Sequence, residues 1–206
     1  MTLLLHTPLI KVKATILLLT ILLFAGCAPI ISVQTTFDPS VNFKVYQTFM
    51  WHPAEVPAPK QGSSGPLYST LLDQRVKEAI ASELVKNGIT PDADNPGLIV
   101  AYDIAIEPTQ EMVSINLENT NFGYGYSYWY GYRYRYDGDG LQNFKNIGTY
   151  KPGSLVVDLI DRNTNRVVWR GALDAGIDPV TIDIDKISRS VARVMSQFPP
   201  VPSTVR

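Results

Sequence analysis

The chain has 206 residues, 45% of them hydrophobic and 18% charged, with a formal net charge of −1. That length buries one sizeable core but hardly two, and the near-neutral balance excludes a global electrostatic case for nucleic acid. With 15 prolines and 14 glycines, the connections between elements are expected to be long and irregular.

At the N-terminal side, Lys11 and Lys13 precede an apolar run from Ala14 to Ala25, which ends at Gly26-Cys27. A basic n-region, an apolar stretch and small residues before a cut predict a signal peptide over residues 1–26. The apolar run is shorter than the ~20 residues that a spanning helix needs. Cys27 is the only cysteine, so a disulfide within the chain is excluded. Phe24-Ala25-Gly26-Cys27 resembles the lipobox of bacterial lipoproteins, with Phe24 where Leu is usual. The resemblance implies cleavage before Cys27, a thioether-linked diacylglycerol on its sulfur and a third acyl chain on its amine. Ala28, where an Asp would mark inner-membrane retention, implies an outer-membrane lipid anchor facing the periplasm. Each buried methylene contributes about 0.8 kcal/mol, so more than one acyl chain makes the attachment stable. Without Lys11 and Lys13, the balance of the mature chain is 16 basic to 19 acidic residues.

Residues 27–206 read as a single α+β domain. Residues 30–38 alternate, with Ile31, Val33, Thr35 and Phe37 on one face, and residues 46–52 are aromatic-rich; both predict strands. The stretch 53–66, rich in Pro, Gly and Ser, reads as a linker within the domain. A helix is predicted over 71–87, with Leu72, Val76, Ala79, Ile80 and Leu84 as its apolar stripe, an Asp73–Lys77 pair and Gly88 as its stop. A strand over 98–107 places Leu98, Val100, Tyr102, Ile104 and Ile106 inward. Residues 154–173 predict a hairpin closed by Asn163-Thr164-Asn165, a three-residue loop with Asn165 left-handed. In that register Arg162 faces Arg166, Leu159 faces Trp169, and Asp158 faces Arg170 on the wetter side. Such an exposed pair is worth a few tenths to ~1 kcal/mol. A last helix over 184–198 buries Ile187, Val191, Val194, Met195 and Phe198, and the prolines after Phe198 end it. The order β-β-α-β-β-β-α predicts a mainly antiparallel β-sheet with two amphipathic helices packed on one face, a two-layer α+β fold.

These elements resemble the bacterial lipoproteins classed as domain of unknown function 4136. The resemblance is carried by Phe37-Asp38-Pro39, Phe43, Tyr46, the run Thr48 to Trp51, the helix LDQRVKEAIASELVKNGI, Leu98-Ile99-Val100 and GSLVVDLIDRNTNRVVWRG. It covers most of residues 30–198. The most specific part is Gly-x-Leu-x-x-Asp ahead of Trp-Arg-Gly. It implies a small α+β envelope lipoprotein and supplies no activity, cofactor or catalytic residue. The Gly/Tyr-rich insertion at 122–136 and the Pro-rich linker lie outside the pattern.

In that insertion, tyrosine occupies every even position from 124 to 136. In an extended strand, period two places all seven rings on one face. Tyr124, Tyr126, Tyr128, Trp129, Tyr130, Tyr132, Arg133, Tyr134 and Arg135 form a candidate binding surface for a glycan, a membrane interface or a protein. The bland alternative is a low-complexity loop or a hairpin arm packed on its own sheet. Aromatic rings between arginines also occur on single-strand nucleic-acid platforms, which an exported location disfavours.

Catalytic signatures are scarce. His52 is the only histidine of the mature chain, so Ser-His, Cys-His and zinc chemistry lack candidates, and a structural role fits it better. The pairs Asp92/Asp94, Asp137/Asp139 and Asp183/Asp185 fit turns and helix caps rather than a twelve-residue calcium loop. The expectation is a non-enzymatic structural or accessory lipoprotein of the outer membrane, without cofactor or metal. The membrane, through the lipid, is one expected partner; an envelope protein or glycan is the other, and nucleic acid is not. The alternative is a periplasmic glycan- or peptidoglycan-binding module using the tyrosine segment.

Overall fold

The computed structural model describes residues 32–53, 70–105, 123–125, 134–136, 141, 150–178 and 181–200. The chain divides into two units, Met1–Ile31 and Ser32–Arg206. The first unit, with the expected signal peptide and Cys27, lies outside the described residues, as does nearly all of the Pro-rich linker.

In chain order the elements are β1 (Val33–Phe37), a 3-10 turn (Phe43–Val45), β2 (Thr48–Trp51), α1 (Thr70–Lys86), β3 (Thr90–Pro91), β4 (Leu98–Ile104), β5 (Gly123–Gly125), β6 (Tyr134–Tyr136), β7 (Ser154–Asp161), β8 (Val167–Asp174) and α2 (Ile184–Met195). Six strands form one sheet in the order β1-β8-β7-β4-β2-β3, while β5 and β6 pair separately. The pairs β1–β8, β8–β7 and β7–β4 are antiparallel. The sheet is thus mainly antiparallel, as expected, but β2 runs parallel to β4 and β3 parallel to β2, which makes it mixed. The reason is the connection: β2 and β4 are joined across α1, and a strand–helix–strand crossover returns the chain in the same direction.

Both helices cover one face, as their periodicity predicts. Leu72, Val76, Ile80 and Leu84 of α1 and Ile187, Val191, Val194 and Met195 of α2 share a core with Leu98, Val100, Tyr102, Ile104, Leu155, Val157, Leu159, Trp169 and Leu173. Asp183 caps α2 by accepting the Lys186 amide at 2.9 Å, which satisfies a donor that the helix itself leaves open. Asp92 likewise accepts the Asp94 and Asn95 amides in a turn.

The opposite face is not wet. Ile99, Ala101, Ile160 and Val167 are buried there with Leu141, and Met50 packs against them. Leu141 comes from the long connection between β4 and β7, past the tyrosine run, where no apolar helical or strand period marks it as a cover.

The hairpin differs in one detail. Asn165 is left-handed as expected, with φ of 54°. However, Asp161 N–H donates to Arg166 O at 2.9 Å, so the loop is the four residues 162–165. Ile160 pairs with Val167 whereas Leu159 pairs with Trp169, leaving Val168 as a bulge. The bulge absorbs the extra loop residue and restores the expected register through the rest of the hairpin.

Candidate functional site

The register places Asp158 of β7 directly across from Arg170 of β8. Both are almost fully buried, at 3% and 2% exposure. Arg170 donates from Nε to Asp158 Oδ1 at 2.5 Å and from Nη2 to Oδ2 at 2.6 Å, a fork-on-fork pair. This corrects the expectation of an exposed pair. The far face is buried, so the two charges hold each other out of water. Tyr150, just ahead of β7, joins them: burial pushes its hydroxyl above the usual phenol range, while the charge of Arg170 and its hydrogen bond to Tyr150 pull the other way. Asp103 of β4 is also buried on this face, two positions along from Ala101, the partner of Asp158, and its Oδ1 accepts the Ile104 amide at 2.7 Å. Chemically this is a closed cluster. The guanidinium fork is filled by a carboxylate of the same chain, so it ties β7, β8 and the start of the hairpin together rather than presenting a charge to a ligand.

The residues flanking this pair explain the most specific part of the sequence pattern. Trp169 and Gly171 lie on the helix-side face, on either side of Arg170. A Cβ on Gly171 would stand 2.4 Å from Trp169 Cη2 and 2.6 Å from Val194 Cγ1, so only glycine lets the indole lie flat beneath α2. The same indole meets Phe198 edge-on, with centroids 5.5 Å apart. Gly153 has φ of +84°, and a Cβ there would stand 2.9 Å from the Gly176 backbone. Thus Gly153, Leu155, Asp158, Trp169, Arg170 and Gly171 each have a packing or pairing role.

Two further polar groupings border the helix-side core. Tyr102 donates to Asp73 Oδ1 at 2.6 Å, and Lys77 donates to Oδ2 at 3.0 Å while lying 5.7 Å from the Trp51 ring centre. The Asp73–Lys77 spacing was legible; the contribution of Tyr102 was not, because its position reads as core. Tyr46 donates to Asp161 Oδ2 at 2.8 Å, while Asp161 Oδ1 accepts the Asn163 and Thr164 amides and the Thr164 hydroxyl. Burial alone would raise the Asp161 carboxyl, but these hydrogen bonds outweigh it and hold the group below the usual carboxylate range. Burial and the Asp161 charge raise the Tyr46 hydroxyl.

A prediction follows for this pair. A depressed carboxylate stabilises the fold above the unfolded pKa, and that contribution is lost as pH falls through the folded value. Tyr46→Phe should therefore cost about 1 kcal/mol at neutral pH, with the gap to the parent closing below about pH 4. Carboxyl titration followed by NMR should show Asp161 moving upward in the variant. An unchanged Asp161 titration would contradict the assigned hydrogen bond.

Of the residues expected to act from the sequence, Cys27 lies outside the described residues. In the tyrosine segment, β5 and β6 pair antiparallel, with Tyr124 opposite Arg135 and Gly125 opposite Tyr134. These two short strands pair with each other, apart from the six-stranded sheet. Tyr126, Tyr128, Trp129, Tyr130, Tyr132 and Arg133 fall outside the described residues. His52 donates its amide to Val100 O at 2.8 Å, continuing the β2–β4 ladder. Among the described residues, no three His, Cys, Asp or Glu side chains are placed to hold a metal ion. Among them too, no helix is long and apolar enough to cross a membrane.

Comparison with known proteins gives three findings. The family described as Domain of unknown function (DUF4136) matches residues 33–200. Among solved structures, a DUF4136 family protein from Bacteroides thetaiotaomicron VPI-5482 is 15% identical, over 81% of this chain and 95% of that one, with a TM-score of 0.50. A PDZ domain protein from Parabacteroides distasonis ATCC 8503 is 17% identical, over 83% of this chain and 36% of that one, with a TM-score of 0.48. The chain thus spans about a third of the latter protein's length. At 15% identity the likeness to the DUF4136 family protein speaks to the fold alone. No curated protein matches the chain.

Proposed function

We propose that this chain, which belongs to the DUF4136 family, is a lipid-anchored envelope lipoprotein whose folded domain is a non-enzymatic structural or accessory component. The observation that carries the reading is Cys27: the only cysteine of the chain stands directly after a basic and then apolar signal-like run, in a lipobox-like setting. Lipidation gives that thiol a use that neither a disulfide nor a catalytic histidine partner offers. Ala28 supports the outer membrane as its address, with the domain in the periplasm. The non-enzymatic reading is supported by the chemistry of the polar groups in the core and at its edge. Asp158 and Arg170 occupy each other, Asp161 caps its own turn, and Asp73 is engaged by Tyr102 and Lys77.

Cys27→Ser tests the anchor. The variant is expected to accumulate as an unprocessed precursor that still carries residues 1–26 and to yield no lipid-bearing form. Processing and membrane fractionation identical to the parent would overturn the reading.

A further inference from the structure

The six-stranded sheet ends on β1 at one side and on β3 at the other. The β3 edge is blunted: it is two residues long, and one of them is Pro91. β1 is five residues long, VQTTF, without charge, proline or glycine, and it pairs with β8 without a register shift. Native proteins usually guard an edge with a charge, a proline or a bulge, because its open side is a template for another strand. The first charge, Asp38, stands just past β1 and is turned back on Ser40, whose amide and hydroxyl it accepts at 2.9 and 2.6 Å. Asp38 N–H in turn donates to Val168 O at 2.9 Å, in the register that sets Phe37 against Trp169. Antiparallel positions alternate between bonded and non-bonded pairs. Thr36 and Gln34 therefore aim their backbone groups at β8, while Val33, Thr35 and Phe37 aim theirs away from it. Among the described residues no strand takes up that side, and Gln34 and Thr35 are exposed.

We propose that the open side of β1 pairs with β1 of a second copy of this chain, antiparallel and about a twofold axis at Thr35. The inference goes beyond the lipid-anchor reading and does not depend on it. The strand is its own complement in this register. Thr35 faces the partner's Thr35, and Val33 faces the partner's Phe37. These are the positions whose backbone groups point outward, so each pair can exchange both of its hydrogen bonds. Shifting the partner by two residues either way carries one outward position off the end of the strand. On the helix-side face Val33 and Phe37, half-buried beside the core, form the aromatic and β-branched pairing that suits neighbouring strands. On the other face Gln34 meets the partner's Thr36, so no like charges are set together. The axis stands perpendicular to the sheet, which keeps the helices of both copies on one face and lets the two sheets run on as one. A five-residue strand buries less than the ~1,200–2,000 Å² of a stable interface, so the dimer forms and separates with concentration.

The test uses the full chain in mild detergent, oxidised with copper–phenanthroline. Thr35→Cys sets two thiols across the axis with Cα atoms about 5.5 Å apart, within the reach of a disulfide. Gln34→Cys is the control. It is next in the chain and also exposed, but the two copies of position 34 lie on a diagonal, about 7–8 Å apart, too far for a bridge. The parent, whose only cysteine is Cys27, sets the background whether or not that sulfur is lipidated. A disulfide-linked dimer several-fold more abundant in Thr35→Cys than in Gln34→Cys is expected. Equal yields, a higher yield at position 34, or a Thr35→Cys yield at the parent's background overturns the proposal. Thr35→Pro removes an outward amide and leaves the ladder with β8 intact. It is expected to melt within a few degrees of the parent while associating only at several-fold higher concentration in sedimentation equilibrium. Association of Thr35→Pro equal to that of the parent overturns β1 as the interface.

Discussion

Arg170→Leu is expected to destabilise the domain by about 3–5 kcal/mol, the cost of leaving a buried carboxylate without its partner. The expectation follows from geometry: both oxygens of Asp158 are taken by one guanidinium, at 2% and 3% exposure, on a face closed by Ile99, Ile160 and Leu141. Had the pair been exposed, the loss would be a few tenths to ~1 kcal/mol. Chemical denaturation of the variant therefore distinguishes the two cases by a wide margin. The double variant Asp158→Leu/Arg170→Met, which removes both charges, should recover most of the loss, because apolar replacements of a buried pair are often neutral or better. A double variant as unstable as the single would show that shape rather than charge dominates at this site.

Gly171→Ala is expected to cost about 1–3 kcal/mol, a large effect for one methyl group. The added carbon would stand 2.4 Å from the Trp169 ring and 2.6 Å from Val194, so the indole or α2 has to move. Since Trp169 is fully buried and stacked edge-on against Phe198, the shift should spread into α2 and appear as a lower midpoint with an unchanged denaturant slope. Wild-type stability in Gly171→Ala would mean that the indole has room to rotate, contrary to the packing described.

The contrast between these two sites shows what the sequence made legible. Both helices and the hairpin followed from local period: Leu72, Val76, Ile80 and Leu84 are spaced for one helical face, and the alternation from Leu155 to Leu159 for one strand face. The apolar stripe named its own face. What covers the opposite face did not follow, because Leu141 and Tyr150 reach it from the part of the connection after the tyrosine run, which has no apolar period, and the register that seats Asp158 against Arg170 says nothing of burial. The parallel run of β2 beside β4 is a property of the crossover, not of either strand's residues. The loop length was misread by one because Val168 can bulge without breaking the apolar pattern on either side. In the polar groupings, Asp73–Lys77 was visible as a helical spacing, whereas Tyr102 read as core until its hydroxyl was placed on Asp73.

The pattern that carries the family resemblance is thereby given a physical meaning. Gly153 and Gly171 admit close backbone and ring approaches, Asp158 and Arg170 lock the hairpin on its second face, and Trp169 fills the core beneath α2. These roles account for the residues without a reaction. The link of the chain to its surroundings proposed above is at Cys27, outside the described residues.

That link is tested most directly by mass spectrometry of the N-terminal peptide of the protein extracted from membranes. The account predicts a peptide that begins at Cys27 and carries a thioether-linked diacylglyceryl group, with no free thiol anywhere in the chain. A peptide that retains residues ahead of Cys27, with its thiol open to alkylation, would contradict it.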